Sequence, residues 1–359
     1  MVIFSRKMEK TMEEKRIVEL DYARVLSMLL VIAAHTTSTY IFSESRVSLF
    51  GMNLAYLINQ AARFSIPGFI VLSGTALGMS KAGGSVWGFY INRLKKTVLP
   101  YLIWYTVYFA YNSRGTAVSA WDFAGFLRGI LRGSAAPHLY FIVVIVQLYL
   151  LYPLLRRLID RHKCATAVIS FAAGLGFQTV SYLACLGVHI LPNDNMLYLT
   201  FLTWIHFFVL GMCVPAGALE KLCRWAKRRL PLLILLSAAA ALGYALESRM
   251  FSTYDTSVKP HLFLYTPHIL VTFLGFGACV KNYRRLNRFV GFLSHVSMDV
   301  YFCHVIVIML LRRIAFFGRG MSGMLLLFAA VTVLSVLLAA AIGAVKDSLK
   351  KFKKLRTAA

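Results

Sequence analysis

A short apolar stretch near the N-terminus carries three ionisable side chains whose types and spacing could do chemistry. Residues 20–37 read LDYARVLSMLLVIAAHTT, in which Asp21, Arg24 and His35 flank an almost entirely apolar run. An arginine binds anions through a planar fork of donors, and a histidine exchanges a proton near neutral pH. The stretch therefore predicts an anion-binding cation with a general base farther along the same helix.

The three side chains share one face if this stretch is helical. Arg24 and His35 are eleven residues apart, which at about 100° per residue is within roughly 20° of whole turns. Asp21 and Arg24 are three apart and are therefore neighbours. At about 1.5 Å per residue, His35 lies roughly 16 Å beyond Arg24. The alternative is structural: Asp21 and Arg24 would anchor the helix at a membrane surface, and His35 would be a satisfied buried histidine.

A second group of cations lies in FYINRLKKTVLPYL, residues 89–102. Arg93 and Lys96 are three residues apart, just before an apolar segment. By themselves they are typical of the positive charge that flanks a membrane span on its cytoplasmic side. Together with Arg24 they could form a cluster that binds phosphates.

Polar side chains recur inside the other apolar segments. His138 begins one segment in PHLYF, and Asp299 and His304 lie within LSHVSMDVYFCH. Three further segments contain Arg63, His206 and His268. Each is by itself typical of a polar contact between packed helices, but together they predict a polar interior that crosses the membrane. The sequence contains no CxxC pair and no Cys/His metal spacing, so we predict no metal site.

The composition indicates which elements position these side chains. Of the 359 residues, 59% are hydrophobic and only 15% are charged, and the mean hydropathy is +0.68. A soluble domain rarely exceeds about half apolar residues. Apolar runs recur along the whole chain, which predicts an all-α polytopic membrane protein of about ten transmembrane helices. The predicted spans are 22–42, 52–77, 98–112, 138–155, 164–187, 197–217, 231–247, 262–280, 296–311 and 323–345.

The basic residues alternate between the two sides of these spans. Of the 39 Lys and Arg residues, 28 lie in the two terminal tails and in every second loop, and nine lie in the intervening loops. This asymmetry is the positive-inside pattern, so we expect both termini to be cytoplasmic. The net charge of +25 therefore indicates topology and contact with anionic lipid headgroups, and we expect no nucleic-acid partner.

The chain divides simply. We predict a cytoplasmic N-terminal tail (1–20), a transmembrane domain (21–345) and a basic cytoplasmic tail (346–359). The loop 113–137 contains an amphipathic piece, AWDFAGFLRGILRG, that is expected to lie on the membrane surface or to cap an outer cavity.

Taken together, these segments resemble the integral-membrane acyltransferase family 3 over roughly residues 20–345. LDYARVLSMLLVIAAH is similar to the family's opening motif of an Asp, an Arg three residues on and a His eleven beyond. PGFIVLSGTALG resembles its second-helix element, and FYINRLKKTVLPYL its Arg-x-x-Arg segment before a Leu-Pro. HLYFIVVIVQLYLLYPLL resembles the fourth-helix element, and LSHVSMDVYFCHVIV the late Ser-x-x-x-Tyr-x-x-His element.

The resemblance implies an enzyme that moves an acetyl or other short acyl group from cytoplasmic acyl-CoA to a hydroxyl of an outer-face glycan or related cell-envelope acceptor. It implies that His35 is catalytic and that Arg24, Arg93 and Lys96 bind the CoA phosphates. Lys96 stands where the family has a second Arg, so it keeps the charge without the bidentate fork. Tyr140 stands where the fourth-helix element usually carries Trp.

The resemblance also implies acyl-CoA as the donor substrate, with no permanently bound cofactor, and a cell membrane location, in bacteria the cytoplasmic membrane. His304 or Tyr301 is expected to stabilise the developing oxyanion, and Asp299 or Glu247 could be an acidic partner of His35. Direct transfer and an acyl-enzyme both remain open, and the oligomeric state is not readable from the sequence.

The main alternative is a transporter or exporter of a small polar solute or a lipid-linked glycan. About ten spans with intramembrane His and Arg residues would suit it, although the two halves show no convincing repeat of the kind transporters often carry. A non-catalytic assembly partner is a third possibility, and in it the stripe of Asp21, Arg24 and His35 would be replaceable.

Overall fold

Helices dominate the described part of the molecule. The computed structural model describes residues 17–42, 48–80, 85–114, 122–314 and 320–356. Within these ranges, β1 (Ser48–Leu49) and β2 (Met52–Asn53) form a short antiparallel hairpin, and seven helical segments are long and apolar enough to cross a membrane by length and composition. These features agree with the predicted all-α, multi-pass membrane protein.

Thirteen helices follow one another along the described residues. They are α1 (Val18–Thr37), α2 (Leu54–Ala61), α3 (Ser65–Gly78), α4 (Val86–Arg93), α5 (Leu99–Asn112), α6 (Phe123–Arg132), α7 (Tyr140–Cys185), α8 (Phe201–Met212), α9 (Ala216–Arg228), α10 (Leu230–Met250), α11 (Leu262–Val280), α12 (Arg284–Leu311) and α13 (Met321–Arg356). Short 3-10 turns at Ala62–Phe64 and Asp194–Leu199 lead into α3 and α8, and a π-helical turn at Leu94–Val98 joins α4 to α5.

Two predicted spans, 138–155 and 164–187, fall within the single long helix α7. Its 46 residues would measure about 69 Å if straight, more than twice the roughly 30 Å of a bilayer core. His162 breaks the helical backbone with φ −139° and ψ 55°. The break therefore divides α7 into two halves, each long enough to be a span.

The remaining differences concern the spans 22–42 and 98–112. Helix α1 ends at Thr37, five residues before the predicted end, and α5 has only 14 residues. Neither is among the seven apolar segments, because the charged residues at the start of α1 lower its hydropathy and α5 is short. The count of ten spans, like the orientation of the termini, stays a prediction.

Glycine allows close packing between α3 and α8. A Cβ added at Gly74 would lie 2.2 Å from the carbonyl oxygen of Phe208, and one at Gly211 would lie 2.1 Å from that of Val71. Small residues at helix crossings let backbones approach in this way inside membranes. The helix that carries the PGFIVLSG motif is thus held closely against α8.

The loop between α10 and α11 encloses a buried lysine. The side chain of Lys259 is fully buried, donates from Nζ to Ser248 Oγ at 2.5 Å, and lies 4.5 Å from the centre of the Tyr244 ring. Burial, which disfavours the charged form, lowers the pKa of Lys259 to about 8. The loop is therefore anchored by its own side chain inside the bundle.

The predicted tails and outer loop are described only in part. Residues 1–16 of the N-terminal tail lie outside the described residues, and α13 continues to Arg356 across the predicted boundary at 345. The amphipathic piece of the loop 113–137 forms α6, whose Phe126 ring lies 4.9 Å from that of Phe109 on α5. Helix α6 is therefore packed against the bundle.

Candidate functional site

Two cavities lie end to end along α1 and share three lining side chains. One, of about 290 Å³, is lined by Arg24, Arg93 and Lys96 and is called here the cation-lined cavity. The other, of about 300 Å³, is lined by His35 and His138 and is called the histidine-lined cavity. Both are lined by Phe69, Phe141 and Tyr301. The predicted stripe of α1 thus serves both cavities, with Arg24 in the first and His35 in the second.

Arg24 is held by a hydroxyl bridge to α12. Its Nη1 donates to Ser294 Oγ at 3.0 Å, and Ser294 Oγ donates to Asp21 Oδ1 at 2.6 Å. Arg24 Nη1 lies 3.7 Å from the same carboxylate oxygen. Asp21 therefore orients Arg24 from behind, and the guanidinium remains at the wall of the cation-lined cavity.

Arg93 reaches the same cavity across aromatic rings. Its guanidinium carbon lies 5.1 Å from the centre of the Phe89 ring and 4.8 Å from that of Tyr149, distances typical of cation–π contacts. Its Nε is buried without a hydrogen-bond partner among the described residues. Lys96, one turn on within the π-helical turn, is exposed. The cavity thus has three cations and one nearby carboxylate, a balance that suits phosphate groups.

Three imidazole rings cluster at the far end of α1. Ring centres are 5.2 Å apart for His35 and His304, 4.9 Å for His138 and His304, and 6.1 Å for His35 and His138. Within the described ranges, no group of three or more His, Cys, Asp or Glu side chains is placed to hold a metal ion. The cluster is therefore considered for proton transfer and hydrogen bonding.

The hydrogen bonds assign different roles to the three rings. His304 Nδ1 lies 2.7 Å from the carbonyl oxygen of Tyr301, so this nitrogen carries the proton and Nε2 has the lone pair. Neither ring nitrogen of buried His138 has a hydrogen-bond partner among the described residues. The ring of His35 lines the cavity and makes no hydrogen bond within the described part of the chain. His138 and His35 are thus free to contact a ligand.

The backbone around His35 is fixed from two sides. Helix α1 ends two residues later, so its last carbonyl groups lack the backbone donors that a further helical turn would supply. Asn59 Nδ2 donates to Ala34 O at 2.7 Å, and Arg312 Nη2 donates to His35 O at 3.1 Å. These bonds hold the last turn of α1, and with it His35, in place.

Three of the residues predicted for oxyanion and acid roles, Tyr301, Asp299 and Glu247, have other partners in the structure. The Tyr301 hydroxyl donates to the carbonyl oxygen of His138, so its proton is already used. Asp299 instead pairs with Lys346 at 2.7 Å, and Glu247 pairs with His261 at 3.3 Å. No carboxylate among the described residues is hydrogen-bonded to the His35 ring, and Asp299 is not part of either cavity lining.

The other predicted residues come together. Tyr140 lines the histidine-lined cavity, and its ring centre lies 5.2 Å from that of Tyr198. Sequence reasoning gave no role to Asn59, Ser294 or Arg312 and treated Arg63 as a packing contact. In the structure, Asn59 and Arg63 line the histidine-lined cavity, and Ser294 and Arg312 bond to Arg24 and His35. A usable signal was present, since Asn59 and Arg63 are four apart and therefore share a helix face in an apolar segment.

The family of the chain follows from a comparison with family models. A model described as "Acyltransferase domain", that of acyltransferase family 3, matches residues 17–344. The chain belongs to acyltransferase family 3. No curated relative and no solved structure shows a significant match. With seven helices among the described residues that are long and apolar enough to cross a membrane, this family 3 member is a membrane acyltransferase, and the predicted family resemblance is confirmed.

Proposed function

We propose that this family 3 protein moves an acetyl or other short acyl group from cytoplasmic acyl-CoA to a hydroxyl of an outer-face glycan or related cell-envelope acceptor. One observation carries the proposal: a cavity with three cations and a cavity lined by two histidines, His35 and His138, meet at Phe69, Phe141 and Tyr301. The donor would enter the first cavity and the acceptor the second.

The cation-lined cavity suits the phosphates of CoA. Arg24, Arg93 and Lys96 would contact them, while the pantetheine arm passes the shared aromatic side chains. Ring centres are 6.4 Å apart for Phe69 and Phe141 and 5.4 Å for Phe141 and Tyr301, so the arm has to slide between them or displace them. His35 lies roughly 16 Å along α1 from Arg24, a distance comparable to the length of an extended pantetheine arm.

In the histidine-lined cavity, His35 acts as the general base. It accepts the proton of the acceptor hydroxyl, whose oxygen forms a bond to the thioester carbonyl carbon. The carbon–sulfur bond then breaks, and the CoA thiolate takes the proton from His35. An N–H of the His138 ring donates to the oxyanion that develops between these steps. The lone pair of His304 Nε2 can accept a hydrogen bond from the His35 ring after that ring has taken up the proton.

Release of the CoA thiol by purified protein in lipid nanodiscs tests this proposal. His35→Gln should abolish thiol release and still bind acyl-CoA, whereas Arg24→Gln should weaken acyl-CoA binding. His206→Gln is the matched control, because His206 stacks on Phe263 at 4.8 Å and lines neither cavity.

Normal thiol release by His35→Gln would overturn the catalytic assignment. Equal binding of acyl-CoA by wild type and Arg24→Gln would overturn the donor site. The transporter alternative also uses two cavities that meet inside the bundle, and it predicts movement of an intact solute across the membrane without cleavage of the thioester.

A further inference from the structure

Arg63 is a cation of the histidine-lined cavity that the proposed chemistry does not use. It lies in the 3-10 turn Ala62–Phe64 between α2 and α3 and lines the cavity together with His35, Ser38 and Asn59. Its position is therefore beside the place where an acceptor hydroxyl would meet His35.

The guanidinium of Arg63 is held by neutral oxygen atoms. Nη1 donates to Asp255 O at 3.0 Å, and Nη2 donates to Tyr254 O at 2.6 Å and to Asn59 Oδ1 at 3.0 Å. Two of the three acceptors belong to the loop between α10 and α11, so this loop orients the side chain. The orientation of Arg63 is thus determined by the fold rather than by an ion pair.

Within the described residues, no side chain acts as a counter-ion for this charge. No carboxylate oxygen of the described residues lies within 4.0 Å of the Arg63 nitrogen atoms, and Nε is buried without a hydrogen-bond partner among them. The Arg63 side chain is half-buried, so its charge is partly desolvated, and the unmade bond of its buried Nε–H adds to this cost. An anionic ligand atom would reduce both costs.

The other charged groups around the cavity leave it positive. Arg312 lies on the same side, where its Nη2 contacts His35 O and Ser38 Oγ at 3.1 and 3.4 Å. Asp255 lines the rim, but its side chain is exposed and bonds to Arg63 only through its main-chain oxygen. Lys259, a residue of the same loop as Asp255, is fully buried. Charge complementarity therefore favours an anion at Arg63.

We propose that the acceptor of this protein is an acidic sugar, with a carboxylate or phosphate that binds Arg63 while a neighbouring hydroxyl faces His35. The inference rests on the proposed acyltransferase function and adds the chemical class of the acceptor. Arg63 Nε–H and the fixed guanidinium charge select the anionic group, and a neutral sugar would leave both unused.

Binding of simple sugars to the purified protein tests the inference without knowledge of the natural acceptor. Glucose, glucuronate and glucose phosphate are titrated while the melting temperature is recorded, in wild type, Arg63→Gln and Arg63→Lys. Arg128→Gln is the matched control, because Arg128 is an exposed arginine of α6 paired with Asp122 at 3.3 Å. Saturating acyl-CoA is present throughout, so that phosphate does not register through the cation-lined cavity.

Both acidic sugars should raise the melting temperature of wild type and Arg128→Gln saturably, and glucose should not. Arg63→Gln should bind them at least about tenfold more weakly, the loss expected for one charge-assisted contact, with Arg63→Lys in between. If only glucuronate raises the melting temperature, the anionic group of the acceptor is a carboxylate. If only glucose phosphate raises it, that group is a phosphate.

The inference is overturned if neither acidic sugar raises the melting temperature, if glucose does so equally, or if Arg63→Gln responds like wild type. Thiol release from acyl-CoA, with a sugar hydroxyl or water as the acceptor, is measured in the same samples. Absence of thiol release in wild type would count against the proposed function, whereas thiol release without selectivity for acidic sugars would count against this inference alone.

Discussion

Replacement of Ser294 by alanine should weaken donor binding and leave His35, the proposed general base, unchanged. The buried Ser294 hydroxyl accepts from Arg24 at 3.0 Å and donates to Asp21 at 2.6 Å. Arg24 Nη1 and Asp21 Oδ1 are 3.7 Å apart in the wild-type structure. Without the hydroxyl group between them, the two side chains can pair at a shorter distance, which turns the guanidinium away from the cavity. A hydrogen bond to a charged group contributes about 1.5–3 kcal/mol.

This free energy corresponds to a rise of about 10- to 100-fold in the KM for acyl-CoA. The kcat should stay within about twofold, because His35 lies roughly 16 Å away along α1. Steady-state thiol release measures both constants. Ser237→Ala is the matched control, since Ser237 is also a buried serine that bridges two helices, to Thr272 at 2.9 Å, and lines neither cavity.

Two outcomes would refute this reasoning. An unchanged KM in Ser294→Ala would show that the hydroxyl bridge does not orient Arg24 for the donor. A fall in kcat at constant KM would place the effect on the chemical step, and the cation-lined cavity would then have a role other than phosphate binding.

Three further substitutions test the neighbouring assignments. His138→Phe replaces the imidazole ring by an aromatic ring without an N–H, so kcat should fall about 100- to 1,000-fold at constant KM for acyl-CoA. An unchanged kcat would exclude His138 as the oxyanion donor. Asp299→Asn breaks the ion pair with Lys346 and should lower stability by at most about 1 kcal/mol with kcat intact, and a large loss of kcat would return Asp299 to the site. Because the pKa of Lys259 is lowered from 10.5 to about 8, the unfolded chain holds more protons between these values and stability rises with pH there. Lys259→Met should lose this rise, which melting temperatures between about pH 7 and 10 would measure; an identical pH dependence in both proteins would contradict it.

The shared face of Asp21, Arg24 and His35 on α1 could be predicted from the sequence because helix geometry is regular. Arg24 and His35 line adjoining cavities, as expected for residues eleven apart on one helix face. The position of the helix end was less predictable. Helix α1 ends at Thr37, where Asn59 and Arg312, from two other helical regions, donate to the carbonyl groups of Ala34 and His35. Local sequence does not contain this information.

The partners of the candidate residues could not be predicted in the same way. Asp299 and His304 both lie in α12, yet Asp299 pairs with Lys346 on α13 while His304 joins the histidine cluster. The rotation of α12 against its neighbours decides this difference. Arg63 was treated as a packing contact because a lone arginine in an apolar segment resembles many structural contacts. Its importance became visible only with the loop oxygens that hold it.

The sequence by itself determined the membrane environment, the helical fold class, the family and the two ends of the proposed donor path, Arg24 and His35. It could do so because composition, charge pattern and helical periodicity are local properties. Only the tertiary structure decided which side chains meet. Ser294 bonds to Arg24 across 270 positions of the chain, and His35, His138 and His304 converge from three helical regions. Such contacts depend on how helices pack and rotate against one another, and that packing is a property of the whole bundle.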